Sequence, residues 1–170
     1  MRYLALLVLL ILPQVGRSSE LDSMALRTAR ELKDFRMVCI WPRVPYSDEQ
    51  KILEFINNHG TCFYHKKITL LNDGPLKLLY RIPDKRPRYR KVLPKFFFVD
   101  RNVHHMMCFL IQIEDIWDGR HIKRDVRAYY QIGQYSIHIS DTHEQSLDLA
   151  ELFLDDDALE EFNHSKFTEE

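Results

Sequence analysis

Apolar positions along the chain alternate between two spacings, and those spacings mark the elements. In "MALRTARELKDF", Leu26, Ala29 and Leu32 recur at helical intervals, predicting a lead-in helix over 24–35. "RMVCIW", Arg36 to Trp41, is a compact apolar run of buried-strand character, which Pro42 and Pro45 end. Ser47 and Gln50 form a Ser-x-x-Gln capping box before Ile52, Leu53 and Ile56. With Gly60 at a C-cap position, they predict a helix over 48–58. "TCFYHKKITLL", Thr61 to Leu71, is rich in β-branched and aromatic residues and predicts a second strand, closed by an Asn-Asp-Gly turn. After a proline-rich connection over 75–95, "KFFFVD" and "MMCFLIQIED" supply a third strand, placed at 106–113, or a hairpin. Ile122, Val126 and Tyr129 set a helix over 115–130, whose start Asp118-Gly119 can delay. "YSIHI" is the last strand. Asp141-x-x-Glu144 caps the last long helix, whose stripe is Leu147, Ala150 and Leu154, and "DDDALEEF" adds a further turn.

The order strand, helix, strand, strand, helix, strand, helix predicts an α+β domain over 36–163. Its expected form is a ferredoxin-like βαββαβ antiparallel sheet, with the two main helices on one face plus a C-terminal helix. Such a fold serves many functions, so the site has to decide the activity.

Composition adds three things. The chain has 170 residues, 45% of them apolar, and a net charge of -1, which suits one domain and argues for neither nucleic acid nor an anionic membrane as partner. The charge is unevenly spread: seven basic residues and one acid lie between Arg81 and Lys95, against eleven acids and one base from Asp141 to the end. Solvated surface explains both segments; so does a basic loop that reaches a phosphate or pairs with the acidic tail, 164–170. Residues 1–18 read as a signal peptide or hydrophobic leader: Arg2, the run "YLALLVLLILPQV", then "GRSS". The run is short of the about 20 residues a membrane span needs. A working leader places the protein in the secretory pathway; otherwise it is cytoplasmic. Cys39, Cys62 and Cys108 are an odd set in apolar segments, read as buried thiols, with one disulfide open and unassigned. Asn163-His164-Ser165 is a glycosylation sequon that matters only on the secretory route.

The candidate chemistry lies in "QYSIHISDTHEQSLDLAELF". Period two sets His138 on one strand face with Ser136 and Ser140, directly before a helix N-terminus. Unpaired N–H groups there, two hydroxyls and an imidazole make a phosphate or oxyanion pocket. The plainer alternative is a solvated surface histidine. His104, His105, His121, His143 and His164 show no zinc spacing with the cysteines, and there is no Gly-rich phosphate loop. Phe96, Phe97 and Phe98 read as core rather than as a base-stacking platform, and no RNP-like motif occurs.

"HISDTHEQSLDLAELF" resembles the nucleoside diphosphate kinase signature, in which an active-site histidine precedes Gly-Ser-Asp-Ser and an acidic helix. Ile132-Gly133 sits where that family has Val/Ile-Gly. The resemblance implies a ferredoxin-like core, His138 as phosphoryl acceptor, and Ser140 and Asp141 in its supporting turn. The chain departs from the pattern at four places. Ile139 replaces the glycine after the histidine. Trp41-Pro42-Arg43 replaces Lys-Pro-Asp. Tyr135 replaces an asparagine. Arg124 stands one residue out of register with the family's arginine. These departures describe a divergent relative.

Two functions follow. One is a phosphate- or nucleotide-handling domain, with phosphoryl transfer through His138. Ser136, Ser140, Arg88, Arg90 and Arg124 would hold phosphate, and magnesium would accompany the nucleotide. The other is a non-catalytic interaction domain whose basic loop and acidic tail meet a protein partner.

Overall fold

A computed structural model describes residues 18–32, 35–70 and 104–164. Arg88, Arg90, the basic connection, Phe96 to Phe98 and all but the end of the leader lie outside the described residues, as does the tail beyond His164.

Among the described residues four strands form one antiparallel sheet: β1 (Phe35–Ile40), β2 (Thr61–Leu70), β3 (His104–Gln112) and β4 (Ile137–Ile139), in the order β2-β3-β1-β4. Among the described residues five helices accompany them: α1 (Ser18–Glu31), α2 (Glu49–Asn57), α3 (Ile116–Tyr130), α4 (His143–Leu154) and α5 (Asp156–His164). The architecture is mixed α+β.

Strand β1 has no solvent face. Phe35, Met37, Val38, Cys39 and Ile40 are fully buried, which is why its sequence reads as a run and not as an alternation. Val38 and Ile40 join Ile52 and Ile56 of α2 and Ile122 and Val126 of α3 on one face. Phe35, Met37 and Cys39 join Ala25, Leu26 and Ala29 of α1 and Leu149, Ala150 and Phe153 of α4 on the other. The expectation of helices on one face therefore describes α2 and α3 alone. The second face is closed by α1, α4 and α5, elements that the pattern left as a lead-in and a terminal helix. Helix α1 starts earlier than its apolar residues suggested because Asp22 belongs to its buried stripe.

Asp22 is 1% exposed and sits under α1. It accepts hydrogen bonds from Tyr64 Oη and, at 2.7 Å, from Lys66 Nζ. Lys66 reaches Asp156 Oδ1 on α5 at 2.7 Å as well. One lysine between two carboxylates thus ties α1, β2 and α5 together, and Arg30 joins α1 to Glu151 of α4 at 3.0 Å. Burial pushes the Lys66 pKa down, but the hydrogen-bonded carboxylates of Asp156 and Asp22 outweigh it and the net shift is upward. Burial and Asp22 together hold the Tyr64 phenol well above its usual range.

Helix ends depart from the predicted signals. Ser47 and Gln50 make no capping box: Asp48 is the N-cap of α2, without a side-chain bond, and Ser47 Oγ donates to Asp48 Oδ1 at 3.1 Å. A short 3-10 turn, Tyr46–Asp48, enters the helix instead. Asp118-Gly119 delays nothing, because Asp115 and Asp118 form a reciprocal capping box that starts α3 at Ile116. Gly60 is not the C-cap of α2, a place taken by Asn58. Its role is clearance: a Cβ there would lie 2.6 Å from the Gln112 carbonyl oxygen at the end of β3.

Two tests follow from these contacts. Gly60→Ala should cost about 1–3 kcal/mol in urea unfolding, since backbone blocks the new methyl. Gly119→Ala, whose Cβ would meet Ile113 Cδ1 at an ordinary 3.6 Å, should stabilise by about 0.5–1 kcal/mol. The Asp22 network gives a pH test. Lys66 and Tyr64 both hold protons more tightly in the fold, so their joint contribution is full below the unfolded tyrosine's 10.0 and is lost as pH rises through the higher folded values. Asp22→Asn should move alkaline unfolding, followed by circular dichroism, to lower pH.

Candidate functional site

The segment from Gly133 to Gln145 builds its turn, strand and helix start from hydrogen bonds that consume most of its polar groups. Gly133 holds φ at 56°, in the left-handed region that suits glycine, and opens the turn into β4. Ser136 closes that turn: its N–H and its Oγ both donate to the Gly133 carbonyl, at 3.2 and 2.7 Å, while its own carbonyl accepts from Trp41 N–H at 2.9 Å. Ser136 is fully buried.

Ser140 continues the pairing with β1. Its N–H donates to the Met37 carbonyl at 3.0 Å, and its Oγ accepts from Met37 N–H at 2.9 Å. The same oxygen lies 2.6 Å from Ser146 Oγ, which donates to the Thr142 carbonyl at 2.7 Å. Each hydroxyl has one proton. Ser146 spends its proton on Thr142, so Ser140 must donate to Ser146. The result is a one-way chain from Met37 N–H through both hydroxyls to Thr142, and it joins β1, β4 and α4.

The helix cap stands one residue later than Asp141-x-x-Glu144 implied. Thr142 is the N-cap of α4 and accepts from Gln145 N–H at 3.1 Å, while Gln145 Oε1 takes the Asp141 N–H at 2.8 Å. Asp141 is thereby released from capping and turns to Lys123 of α3, 3.5 Å away.

His138 shares a face with the two serines, as period two requires, but that face is packed under α4. Ile137 and Ile139 point into the α2/α3 core. His138 is half-buried on the opposite side, paired in register with Cys39, and its ring centre is 6.2 Å from that of Trp41. His143, the first residue of α4, sets its ring edge-on to Phe35 at 5.1 Å; its buried Nδ1 has no hydrogen-bond partner among the described residues.

Ser136, His138 and Ser140 are therefore neighbours in space, but both hydroxyls are committed elsewhere. Arg124 is not brought to them. Its side chain is 64% exposed on α3, a helix of the other face, and it pairs with Asp125 at 2.9 Å. Asp125 also takes His59 Nε2 at 2.8 Å.

A second set of groups lies on the flank of α3 that faces Asp141. Arg120, Lys123 and Arg127 recur at i, i+3 and i+7, the spacing of one helix side. Lys123 is only 22% exposed in its side chain. Burial pushes its pKa down, and repulsion from Arg127 and Arg120 adds to this, against the opposing pull of Asp141. The Nε of Arg127 is buried without a hydrogen-bond partner among the described residues. Trp117, 56% exposed, carries the Arg120 guanidinium 4.5 Å over its ring. The sequence held a signal for this flank: "RHIKRDVR" places cations beside the apolar stripe Ile122–Val126, where a side chain is half-buried. Among the described residues no group of three His, Cys, Asp or Glu is placed to hold a metal ion, and no helix is long and apolar enough to cross a membrane. No protein-family model matches the chain, and no curated protein matches it either.

The hydroxyl chain is directly testable. Ser140→Ala leaves Met37 N–H buried and unpaired and should cost about 1–3 kcal/mol in chemical unfolding. Ser136→Ala should cost less than about 1 kcal/mol, because the Gly133 carbonyl keeps the Ser136 N–H. Equal costs would mean that Met37 N–H does not depend on the Ser140 hydroxyl.

Proposed function

We propose that this chain is a divergent phosphate-handling domain, one that binds a nucleotide or similar polyanion on the flank of α3 beside the start of α4. The observation that carries this reading is a half-buried lysine, Lys123, that is repelled by Arg127 and Arg120 and meets one carboxylate, Asp141, which is itself 76% exposed. A half-buried ammonium that two neighbouring guanidiniums repel is an arrangement that a bound phosphate would relieve. Lys123 and Arg127 would take phosphate oxygens. Trp117 lies six residues before Lys123, about 9 Å of helix rise, and offers an indole face to a base. Magnesium would travel with the nucleotide.

The fold in this proposal is the ferredoxin-like split βαβ. Its support is the order β2-β3-β1-β4, with α2 and α3 each returning across the same face. The kinase-like stretch around His138 is read as a fold signature that has lost the transfer step. His138 faces the α4 side, and Arg120, Lys123 and Arg127 belong to the helix of the other side.

A second reading has an observation of its own. Ile116 and Trp117, 58% and 56% exposed at the start of α3, suit an interaction domain that meets a protein partner there.

The test is a thermal melt of the full chain with ATP, ADP or GTP plus magnesium, and with pyrophosphate alone. At ligand about 100 times Kd, the melting temperature should rise by roughly 5–10 °C. Lys123→Gln with Arg127→Gln should weaken binding by tenfold or more, and His138→Ala should leave it unchanged. Loss of the response in His138→Ala alone would return the ligand to the histidine. Absence of any response in the parent chain would favour the interaction domain.

A further inference from the structure

The strand register lays four side chains in a row across the α1/α4 face of the sheet: Lys66 opposite Cys108, Cys108 opposite Cys39, and Cys39 opposite His138. The middle pair has a geometry of its own. In an antiparallel ladder, directly opposed residues alternate between hydrogen-bonded pairs and closer, non-hydrogen-bonded ones. Met37 turns its carbonyl to Ser140 N–H, and Trp41 turns its N–H to the Ser136 carbonyl, so both point their backbone groups at β4. Cys39, midway between them, does the same. Its N–H and C=O consequently point away from β3, and Cys39–Cys108 is a non-hydrogen-bonded pair. Such pairs have Cα atoms about 4.5 Å apart, inside the window of about 4.4–6.8 Å that a disulfide spans. The two side chains are directly opposed on one face of the sheet, and both are buried.

The third thiol is excluded by the sheet itself. Cys39 and Cys108 belong to the core beneath α1 and α4, whereas Cys62 packs against the core beneath α2 and α3. The sheet stands between Cys62 and either partner. The odd cysteine of the set is thereby identified, which spacing in the sequence left open.

We propose that Cys39 and Cys108 are the disulfide-forming pair of this protein, a cross-strand bond that closes the span containing α2 and β2 and pins β1 to β3. This proposal is independent of the phosphate reading. The oxidant is a low-molecular-weight disulfide such as oxidised glutathione. One cysteine thiolate attacks it, forming a mixed disulfide and releasing one thiol. The second cysteine thiolate attacks the protein sulfur of that mixed disulfide and expels the other half as a second thiol. The Sγ–Sγ bond forms, the oxidant's S–S bond is broken, and two electrons and two protons leave on the two released thiols. All three cysteines are thiols in this structure. Burial and the neighbouring Cys39 push the Cys108 thiol pKa well up, so the folded sheet protects the reduced pair. Exchange therefore runs while the sheet is assembling.

The experiment refolds the full reduced chain in a glutathione redox buffer, alkylates the remaining thiols, and maps peptides by mass without reductant. The expected result is the Cys39 peptide joined to the Cys108 peptide, with Cys62 alkylated. The oxidised protein should melt roughly 10 °C above its reduced form, and dithiothreitol should abolish the difference. Cys62→Ala should keep both the link and the thermal gain. A linked peptide containing Cys62, or three alkylated cysteines after complete refolding, would overturn the proposal. So would a Cys108→Ala variant that retains the thermal gain.

Discussion

Strand β1 has to be buried on both faces, and the rest of the molecule is arranged to meet that requirement. It pairs with β3 on one side and β4 on the other, so it has no edge. Its side chains divide between two helical layers, and Trp41 just beyond it is fully buried too. A strand in that position cannot leave an N–H without an acceptor. At Met37 the ladder is short, because β4 spans only Ile137–Ile139, and the Ser140 hydroxyl supplies what the ladder does not. The helix that follows is held by the same atoms, since Ser140 passes its proton to Ser146 and Ser146 passes its own to Thr142. One buried backbone donor thus sets the approach of α4.

Two charge clusters, on different helices, invert one another. Beneath α1, two carboxylates surround one lysine, and the Lys66 ammonium is favoured despite its burial. On α3, Lys123 is half-buried near Arg127 and Arg120 and meets the exposed Asp141, and its ammonium is disfavoured. The first cluster is satisfied from within the chain and works as a fastening. In the second, burial and the two guanidiniums outweigh the pull of Asp141 on Lys123, which is the imbalance the phosphate proposal rests on. Arg124, exposed and already paired to Asp125 beside His59, belongs to neither cluster.

Much of the fold was legible because apolar spacing is set by burial, and burial was the same in pattern and structure. Val126 and Ile122 sit where their helical period put them, and strands β1, β2 and β3 differ from their expected bounds by one or two residues. What was not legible concerns polar residues. Ser136, His138 and Ser140 alternate with isoleucines, and alternation reports which face a residue is on without reporting whether water or a helix covers that face. The serines are buried and polar at once because each has its acceptor or donor close in sequence or across β1, information carried by register alone. The caps failed for a similar reason. Thr142 and Asp141 are adjacent and both are capping residue types, so the sequence alone does not say which of them takes the cap.

The hydrophobic leader and the cysteines bear on one question. Taken from the sequence, an odd set of apolar-segment cysteines gave export no support. The register changes that argument. A pair opposed across β1 and β3, with the third thiol isolated behind the sheet, is the arrangement a chain would need to be oxidised once and without isomers. Among the described side chains of α1, Asp22 is the first that is buried, and it lies beyond residues 1–18. In a reducing compartment the same two thiols are core side chains of ordinary kind, shielded beneath α1 and α4. The fold is complete with all three cysteines as thiols, and under the disulfide proposal an oxidising compartment would add a bond to the packing that joins β1 and β3.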